Sequence, residues 1–277
     1  MKMRSLLFFR SETRPSFGAA AESLGGFRYA VGAVLGAVLL AMAMPTLASA
    51  EEVPASPDPR FAVGELLAKD DFDCCLGQWQ SELEKGGRIE LRDGELEIDV
   101  PGGCSLWFRQ RFEGPILIRY EATTIKAGGT NDRVSDLNCF WMADDIRSPG
   151  ELFATPRSGQ FSDYDQLRCY YVGLGGNSNG TTRFRRYIGE RGNRPLLPEH
   201  DLTAPEDLLV PNVSQTVELV AAGSTIGYYR DGRRLFAYED PEPYTAGWFA
   251  FRTVTSHFTL RHFRVYRLVP AESGRAP

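Results

Sequence analysis

The sequence predicts an all-β domain built as a sandwich or jelly roll of two antiparallel sheets. Nearly every segment after residue 70 alternates between polar and apolar side chains with the period of two that is typical of strands. Asp93-Gly94 and Asp231-Gly232 each separate two alternating runs, as in two-residue hairpins. No stretch after residue 60 keeps a helical spacing of apolar residues beyond about two turns. About ten short strands with turns between them favour a sandwich or a jelly roll.

The strand candidates follow one another with little else between them. Two turn-rich stretches, Asp144–Asp165 and Gly189–Val213, are too long for hairpin loops, and loops of this length are often functional. A one-residue bulge is expected near Arg261-His262, because the apolar phase changes there. In chain order the strand candidates are Arg88–Val100 (a hairpin), Ser105–Phe112, Pro115–Glu121, Leu137–Ala143, Leu167–Leu174, Thr181–Ile188, Thr216–Ala221, Thr225–Arg230, Arg234–Tyr238, Gly247–Thr253 and Phe258–Leu268.

The N-terminal segment has the pattern of a secretory signal peptide. Arg28 precedes the uncharged stretch Tyr29–Ala50, which ends in the small residues of an A-x-A cleavage site. We expect cleavage before Glu51 and a secreted or periplasmic bacterial protein, without stable membrane insertion after cleavage. The alternative is an uncleaved anchor, because the apolar run is just long enough to span a bilayer. The predicted organisation is a signal peptide (1–50), a linker (51–64), one jelly-roll domain (65–268) and a disordered tail (269–277).

Composition and cysteine spacing exclude several classes of protein. The chain has 277 residues, of which 24% are charged, and a formal net charge of −5, which argues against disorder and against nucleic-acid binding. None of the five cysteines forms a C-x-x-C pair, so a zinc site is not predicted. Cys74 or Cys75 could pair with Cys104, or these cysteines could remain thiols.

Polar residues gather before and at the start of the strand candidate at 137–143. Asn138 faces away from its apolar neighbours Leu137 and Cys139, which belong in the core. Asn131, Asp132, Arg133 and Asp136 precede it in a loop. One interpretation is a polar cluster at the rim of a cleft. The alternative is turn chemistry, because Asn and Asp side chains often bond the local backbone.

Three further groups of residues are candidates for binding or catalysis. Arg168 and Tyr170 share one face of a strand and could form a platform for a sugar. Arg183 and Arg185 also share a face, and they repel each other unless an anion lies between them or acidic strands pair with them. His257 is the best candidate for proton transfer by residue type, although a lone histidine is more often structural.

Four segments of the chain are long enough to be compared with known families: NDRVSDLNCFWMADD (131–145), YYVGLGGNSNGTTRFRRY (170–187), RPLLPEHDL (194–202) and DPEPYTAGWFAFRTVTSHFTLRHFRVYRL (240–268). They resemble a family of uncharacterised secreted bacterial proteins related to the YesU-like proteins of polysaccharide-degradation gene clusters. The resemblance covers residues 65–268 and implies a concanavalin A-like jelly roll, whose concave sheet usually holds an oligosaccharide. It transfers no catalytic residue, because the family has no assigned activity.

On this fold we expect Asn138, Arg168, Tyr170, Arg183 and Arg185 to share one concave face, with His257 entering from the edge of the sheet. The assignment rests on alternation, since each of these residues lies next to an apolar residue that must face the core.

The leading functional hypothesis is a polysaccharide lyase that acts on a uronate-containing glycan. Arg183 would assist catalysis, and Tyr170 and His257 would supply the base and the acid. The substrate-binding residues would be Asn131, Asp132, Arg133, Asn138, Arg168 and Arg185.

Three other functions remain open. A glycoside hydrolase would need two carboxylates, about 5–5.5 Å apart for retention or about 6.5–9.5 Å for inversion. The E-x-D-x-x-E string of laminarinase-type jelly rolls is missing from the chain. A glycan-binding module needs no catalytic residue, and the remaining possibility is a structural envelope protein. No cofactor is expected. A structural Ca²⁺ on loop carboxylates such as Asp132 and Asp136 is left open, but no ligand-spacing motif supports it.

Overall fold

The computed structural model describes residues 53–272, so the predicted signal peptide lies outside the described residues. The described chain is an all-β sandwich of two antiparallel eight-stranded sheets, which confirms the predicted fold class. Its strands are β1 (Phe61–Asp70), β2 (Trp79–Leu83), β3 (Arg88–Arg92), β4 (Glu95–Val100), β5 (Cys104–Phe108), β6 (Phe112–Glu113), β7 (Ile116–Thr124), β8 (Asn138–Asp145), β9 (Leu167–Gly175), β10 (Thr181–Ile188), β11 (Asp201–Leu202), β12 (Ser214–Ala222), β13 (Thr225–Arg230), β14 (Arg233–Glu239), β15 (Ala246–Thr253) and β16 (Ser256–Pro270).

Each sheet mixes strands from distant parts of the chain. Sheet A has the order β14-β13-β12-β7-β16-β4-β3, and β1 also pairs with β16. Sheet B has the order β11-β10-β9-β8-β15-β5-β2, and β6 also pairs with β15. The helical segments between the strands are single turns at Leu152–Ala154, Phe161–Tyr164, Gly176–Asn179, Pro198–His200 and Pro205–Asp207.

Both predicted Asp-Gly hairpins and the predicted bulge are confirmed. Asp93 and Gly94 have φ of 54° and 73°, and Asp231 and Gly232 have φ of 51° and 74°, as a tight two-residue turn requires. In β16 the pairing register shifts between Arg261 and Arg264. The extra residue lets the apolar side chains on both sides of the shift face the core.

Buried apolar side chains form three separate clusters, of which two position the site and the third includes Leu117, Val220 and Tyr266. The main core lies between the sheets, where the ring of Trp79 stacks on that of Phe251 at a centroid distance of 5.4 Å. A second cluster, which includes Trp107, Phe140 and Tyr187, lies on the outer face of sheet B. The segment between β8 and β9, here called the cover loop (residues 146–166), packs Leu152 over this cluster. The middle strands of sheet B are therefore buried on both faces.

The domain begins earlier than predicted, because β1 starts at Phe61, inside the segment predicted as a linker. All five cysteines are free thiols, and Cys104 is buried away from solvent, so the pairing considered for it does not form. The sulfur atoms of the exposed Cys74 and Cys75 lie 3.5 Å apart. Among residues 53–272, no helix is long and apolar enough to span a membrane.

Candidate functional site

A groove opens on the outer face of sheet B, beside the part that the cover loop buries. It has a volume of about 220 Å³ and lies between the start of β8, the turn from β9 to β10, and Phe161 of the cover loop. Its polar lining includes Asp136, Asn138, Tyr171, Asn177, Arg183 and Arg185.

Asn138 carries a hydrogen-bonding atom that no other described residue engages. It is the first residue of β8, and it faces outward because Leu137 and Cys139 face the main core. Only 3% of the residue is exposed, and its Nδ2 donates to Asp136 Oδ1 at 3.4 Å. Its Oδ1 has no partner within the described chain. A buried polar atom without a partner costs about 1–3 kcal/mol, and a ligand donor in the groove would remove this cost.

The two arginines of β10 differ in their partners. Arg183 makes a two-point contact with the carboxylate of Asp201, at 2.8 and 2.9 Å. Arg185 instead donates to the backbone carbonyl of Arg194, and among the described residues no carboxylate pairs with it. Burial lowers the pKa of the Arg185 guanidinium, and the positive charge of Arg183 acts in the same direction. Because arginine still keeps its proton, an anion in the groove would be stabilised beside Arg185.

Tyr171 and Gly173, both on β9, contribute to the same face. Burial raises the pKa of the Tyr171 hydroxyl, and the negative charge of Asp136 raises it further, so the hydroxyl stays protonated. No hydrogen bond to this hydroxyl forms within the described chain. A Cβ at Gly173 would lie 3.0 Å from it, so glycine keeps this part of the groove open.

The loop before β8, here called the rim loop (residues 126–136), brings Asp136 to the groove. Asp132 Oδ2 accepts hydrogen bonds from the backbone N–H groups of Ala127 (2.6 Å) and Gly129 (2.8 Å) and so closes the loop on itself. Arg133 pairs with Asp136, and Ser135 Oγ donates to the carbonyl of Gly175 at 2.9 Å. The turn chemistry considered for Asp132 is therefore present.

Arg168 and Tyr170 do not lie in the groove, and the expectation that they share its face is wrong. Tyr170 is fully buried in the main core, where its hydroxyl donates to Asp240 at 2.7 Å. Arg168 is exposed and lines a different cleft, together with Arg186 and Tyr244. The prediction failed because alternation identifies the core face of a strand only when the other face is polar. Both faces of β9 are apolar and buried. In β9 the residues expected to face the core belong instead to the cluster beneath the cover loop.

His257 lies on the outer face of the other sheet, so the predicted grouping of Tyr170, His257 and Arg183 does not form. Its Nδ1 lies 2.7 Å from Asp132 Oδ1, and its Nε2 lies 3.0 Å from Glu97 Oε1. Asn131 joins this cluster rather than the groove, because its Nδ2 donates to Asp99 at 2.8 Å.

The same cluster has the spacing of a metal site. The ligand atoms of Glu97, Asp99 and His257 lie within 4.8 Å of one another, and no second such group occurs within residues 53–272. The proposed Ca²⁺ on Asp132 and Asp136 stays a prediction.

A buried ionic network holds the cover loop beside the groove. Arg157 of the cover loop contacts Glu82 at 2.9 Å and Asp145 at 3.1 Å, and its side chain is fully buried. Glu82 Oε2 also accepts hydrogen bonds from Trp107 Nε1 (2.9 Å) and the Tyr164 hydroxyl (2.7 Å).

Sequence reasoning placed Asn138, Arg183 and Arg185 together, as the structure does, and it put Asp136 beside Asn138, but it missed Tyr171, Asn177 and Phe161 as lining residues. Two signals pointed towards them. The unusual length of the segment 144–165 indicates the loop that supplies Phe161, and the glycine-rich run GGNSNG at residues 175–180 contains Asn177. Nothing in the alternation of β9 marked Tyr171.

Comparison with known proteins gives a family and a fold. Residues 98–263 match the model of a family described as a domain of unknown function, DUF6250. No curated protein matches the chain.

The similar solved structures are distant in sequence. A Bacillus subtilis protein described as of unknown function with a galectin-like fold is 18% identical, with a TM-score of 0.60, and the match covers 76% of this chain and 99% of that one. LamA from Z. galactanivorans, solved with laminaritriose and laminaritetraose, is 11% identical, with a TM-score of 0.51 and coverage of 74% and 100%. An endo-β-1,3-glucanase from Pyrococcus furiosus is 12% identical, with a TM-score of 0.50 and coverage of 76% and 96%. At these identities the likeness establishes the jelly-roll fold alone.

Proposed function

The chain belongs to the DUF6250 family, and from the geometry of its groove we propose that it is a carbohydrate-active protein that binds a uronate-containing glycan on the outer face of sheet B. One observation carries the proposal. Among residues 53–272, Arg185 has no carboxylate partner and the buried amide oxygen of Asn138 has no donor, and the groove brings these two groups together. A uronate residue offers both a carboxylate and hydroxyl donors.

Each lining group has a matching function in such a complex. Arg185 would bind the uronate carboxylate, because a guanidinium fork fits two oxygens at once. Asn138 Oδ1 would accept from a sugar hydroxyl, and the protonated Tyr171 hydroxyl would donate to a sugar oxygen. Phe161 at the edge of the groove offers an aromatic ring to the apolar face of a sugar. The LamA structure supports the proposal to the extent that a protein of similar fold was solved with oligosaccharides.

The lining argues against a hydrolase. Hydrolysis of a glycosidic bond commonly uses two carboxylates that face each other across the bond. Within the described residues, Asp136 supplies the one carboxylate in the groove lining, and Asp201 beyond it is held by Arg183.

Elimination is the enzymatic form of the proposal. In a polysaccharide lyase, the arginines neutralise the uronate carboxylate, which acidifies the C5 proton. Asp136 would accept this proton on Oδ1, because Arg133 and Ser135 bind its other oxygen, as the C4–O bond breaks and the C4–C5 double bond forms. Tyr171 would donate a proton to the leaving oxygen. Asp136 and Tyr171 thus replace His257 and Tyr170, which lie elsewhere in the molecule.

Calorimetric titration with an oligogalacturonate and with a neutral galactan oligosaccharide of equal length tests the binding. We expect binding of the acidic ligand, and we expect Arg185→Gln to weaken it roughly ten- to hundredfold, the range of a charge-assisted hydrogen bond. Arg234→Gln is the matched control, because Arg234 is an exposed arginine of sheet A, and it should bind as the wild type does. Equal affinity of both ligands, or of the Arg185 variant and the wild type, would refute the proposal.

The chemical step has its own test. Incubation with polygalacturonate should raise the ultraviolet absorbance of the unsaturated uronate product, and Tyr171→Phe should abolish this rise. Binding without any rise in absorbance would exclude elimination, and the protein would then be a glycan-binding module without lyase activity.

Export is part of the proposal, because polysaccharides of this kind are met outside the cell. The exported protein should begin at Glu51, and mass spectrometry of the secreted or periplasmic fraction would detect this terminus. An intact N-terminus in that fraction would contradict it.

A further inference from the structure

Two cysteines lie next to each other on the segment between β1 and β2, here called the dithiol loop (residues 71–78). Cys74 and Cys75 are both exposed, and their sulfur atoms lie 3.5 Å apart. The Sγ of Cys74 donates a hydrogen bond to the Sγ of Cys75. The two thiols therefore already face each other on a surface that a small molecule can reach.

The other three cysteines of the chain lie in a different environment. Cys104, Cys139 and Cys169 are buried, with at most 1% of each residue exposed. Burial raises the pKa of all three thiols, so each of them stays in the unreactive protonated form. Reaction with a reagent in solution is thus confined to the dithiol loop.

The two exposed thiols differ in how readily they lose a proton. The backbone N–H of Gly77 and the thiol of Cys74 both stabilise the thiolate of Cys75, so the pKa of Cys75 lies below its ordinary 9.0. The hydrogen bond to Cys75 and the negative charge of that thiolate raise the pKa of Cys74. Because the thiolate is the nucleophile in thiol–disulfide exchange, Cys75 reacts first.

The dithiol loop is held at both ends by contacts that involve neither sulfur. Phe72 is buried in the main core, and its backbone N–H donates to Asp70 Oδ1 at 2.8 Å. At the other end, the ring of Trp79 packs in the main core and its Nε1 donates to Asp70 Oδ2 at 2.8 Å. A new bond at the sulfur atoms therefore moves the exposed residues 73–75 and leaves the strands in place.

We propose that Cys74 and Cys75 form a redox-active dithiol that exchanges with low-molecular-weight disulfides, with Cys75 as the attacking cysteine and Cys74 as the resolving cysteine. The inference is independent of the proposed function, because no residue of the dithiol loop lines the groove.

The exchange has two steps. The Cys75 thiolate attacks one sulfur atom of the small disulfide, so that a mixed disulfide forms and one small thiolate leaves. Cys74 then loses its proton and attacks the Cys75 sulfur, which expels the second small thiolate. The products are a disulfide between Cys74 and Cys75 and two small thiols, which take up the two cysteine protons. The two electrons that the cysteines lose reduce the small disulfide.

The disulfide formed in this way is readily reversed. Cα atoms of adjacent residues lie about 3.8 Å apart across a trans peptide bond, whereas disulfides usually join Cα atoms about 4.4–6.8 Å apart. A disulfide that is both strained and exposed belongs to the labile class, which thiols reduce easily. The site is therefore expected to cycle between its two forms.

Reaction of the folded protein with dithiobis(nitrobenzoate), an aromatic disulfide, tests the proposal. We expect the release of two coloured thiolates per chain and a mass decrease of about 2 Da, because two hydrogens are lost and no aryl group stays on the protein. Dithiothreitol should restore the original mass. A protein that does not react, or that keeps an aryl group, would overturn the proposal.

Single substitutions separate the two cysteines. Cys74→Ser should release one thiolate and keep one aryl group, because no resolving sulfur remains. Cys75→Ser should react roughly threefold or more slowly than Cys74→Ser, because its remaining thiol lacks the N–H group of Gly77. Cys104→Ala is the matched control, because it removes a buried thiol, and it should react as the wild type does. Equal rates in the two serine variants, or a Cys74→Ser variant without a bound aryl group, would refute the assignment.

Discussion

The outer face of sheet B has two halves that differ in how their buried charged and polar side chains are paired. Beneath the cover loop, Arg157 is fully buried between Glu82 and Asp145, so each charge has a partner of opposite sign. In the open groove, Asn138 is almost as deeply buried, yet its Oδ1 has no partner in the described chain. Buried polarity alone therefore does not mark a binding site. The distinguishing feature of the groove is the combination of Asn138 Oδ1 with Arg185, for which the described residues supply neither a hydrogen-bond donor nor a carboxylate partner, respectively.

The largest effect on the free energy of unfolding is expected when the buried ion pairs of Arg157 beneath the cover loop are removed. Arg157→Met leaves Glu82 buried without its counter-ion, and this kind of change costs about 3–5 kcal/mol in the free energy of unfolding. Urea unfolding followed by fluorescence measures it.

Arg111→Met is the matched control, because Arg111 pairs with Glu113 at the surface. It should change the unfolding free energy by less than about 1 kcal/mol. Similar losses in the two variants would mean that the network under the cover loop is not a buried ionic anchor.

A substitution in the groove is expected to change the free energy of unfolding by less, and in the opposite direction. Asn138→Leu replaces an unsatisfied buried amide by an apolar side chain of similar size, so the free energy of unfolding should stay equal or rise slightly. Oligogalacturonate binding should weaken roughly two- to tenfold, the range of a neutral hydrogen bond. Chemical unfolding and calorimetry measure the two quantities.

Asn131→Leu provides the contrast, because the amide of Asn131 has a partner in Asp99. This variant should lose stability. If Asn138→Leu loses as much, the two halves of the face do not differ as described.

The smallest effect concerns acid stability in the covered half. Burial raises the pKa of the Asp145 carboxyl, but the hydrogen bonds from Arg147 outweigh it, and the pKa lies below its ordinary 3.8. The carboxylate therefore stabilises the fold above pH 3.8, and this contribution is lost as the pH falls further. Arg147→Gln should move acid unfolding to higher pH, at a cost of at most about 1 kcal/mol near neutrality. An unchanged midpoint in circular dichroism would contradict the assignment.

Local features of the fold were predictable because local chemistry determines them. The Asp-Gly hairpins follow from the positive φ that these residues tolerate, and the bulge at His262 follows from the phase change along β16. Asn138 was correctly predicted to face away from the core, because its neighbours Leu137 and Cys139 in the strand both face the core.

The remaining part of the site depends on contacts between distant segments. The alternation in β9 could not show that Tyr171 rather than Tyr170 faces outward, because the cover loop makes that face apolar as well. His257 was singled out by its residue type. Its contact with Glu97 depends on the pairing of β16 with β4, which single-strand patterns do not reveal.

The position of β16 has a consequence for the order in which the protein folds. This strand pairs with β7 along one edge and with β4 and β1 along the other, although those three strands precede it by well over half of the described chain. The pairing of β1, β4 and β7 with β16 in sheet A therefore cannot form before β16 has been synthesised. Until then, the edges of these three strands that pair with β16 stay exposed. We expect slow folding that begins only after synthesis has passed β16, and dependence on chaperones during the delay.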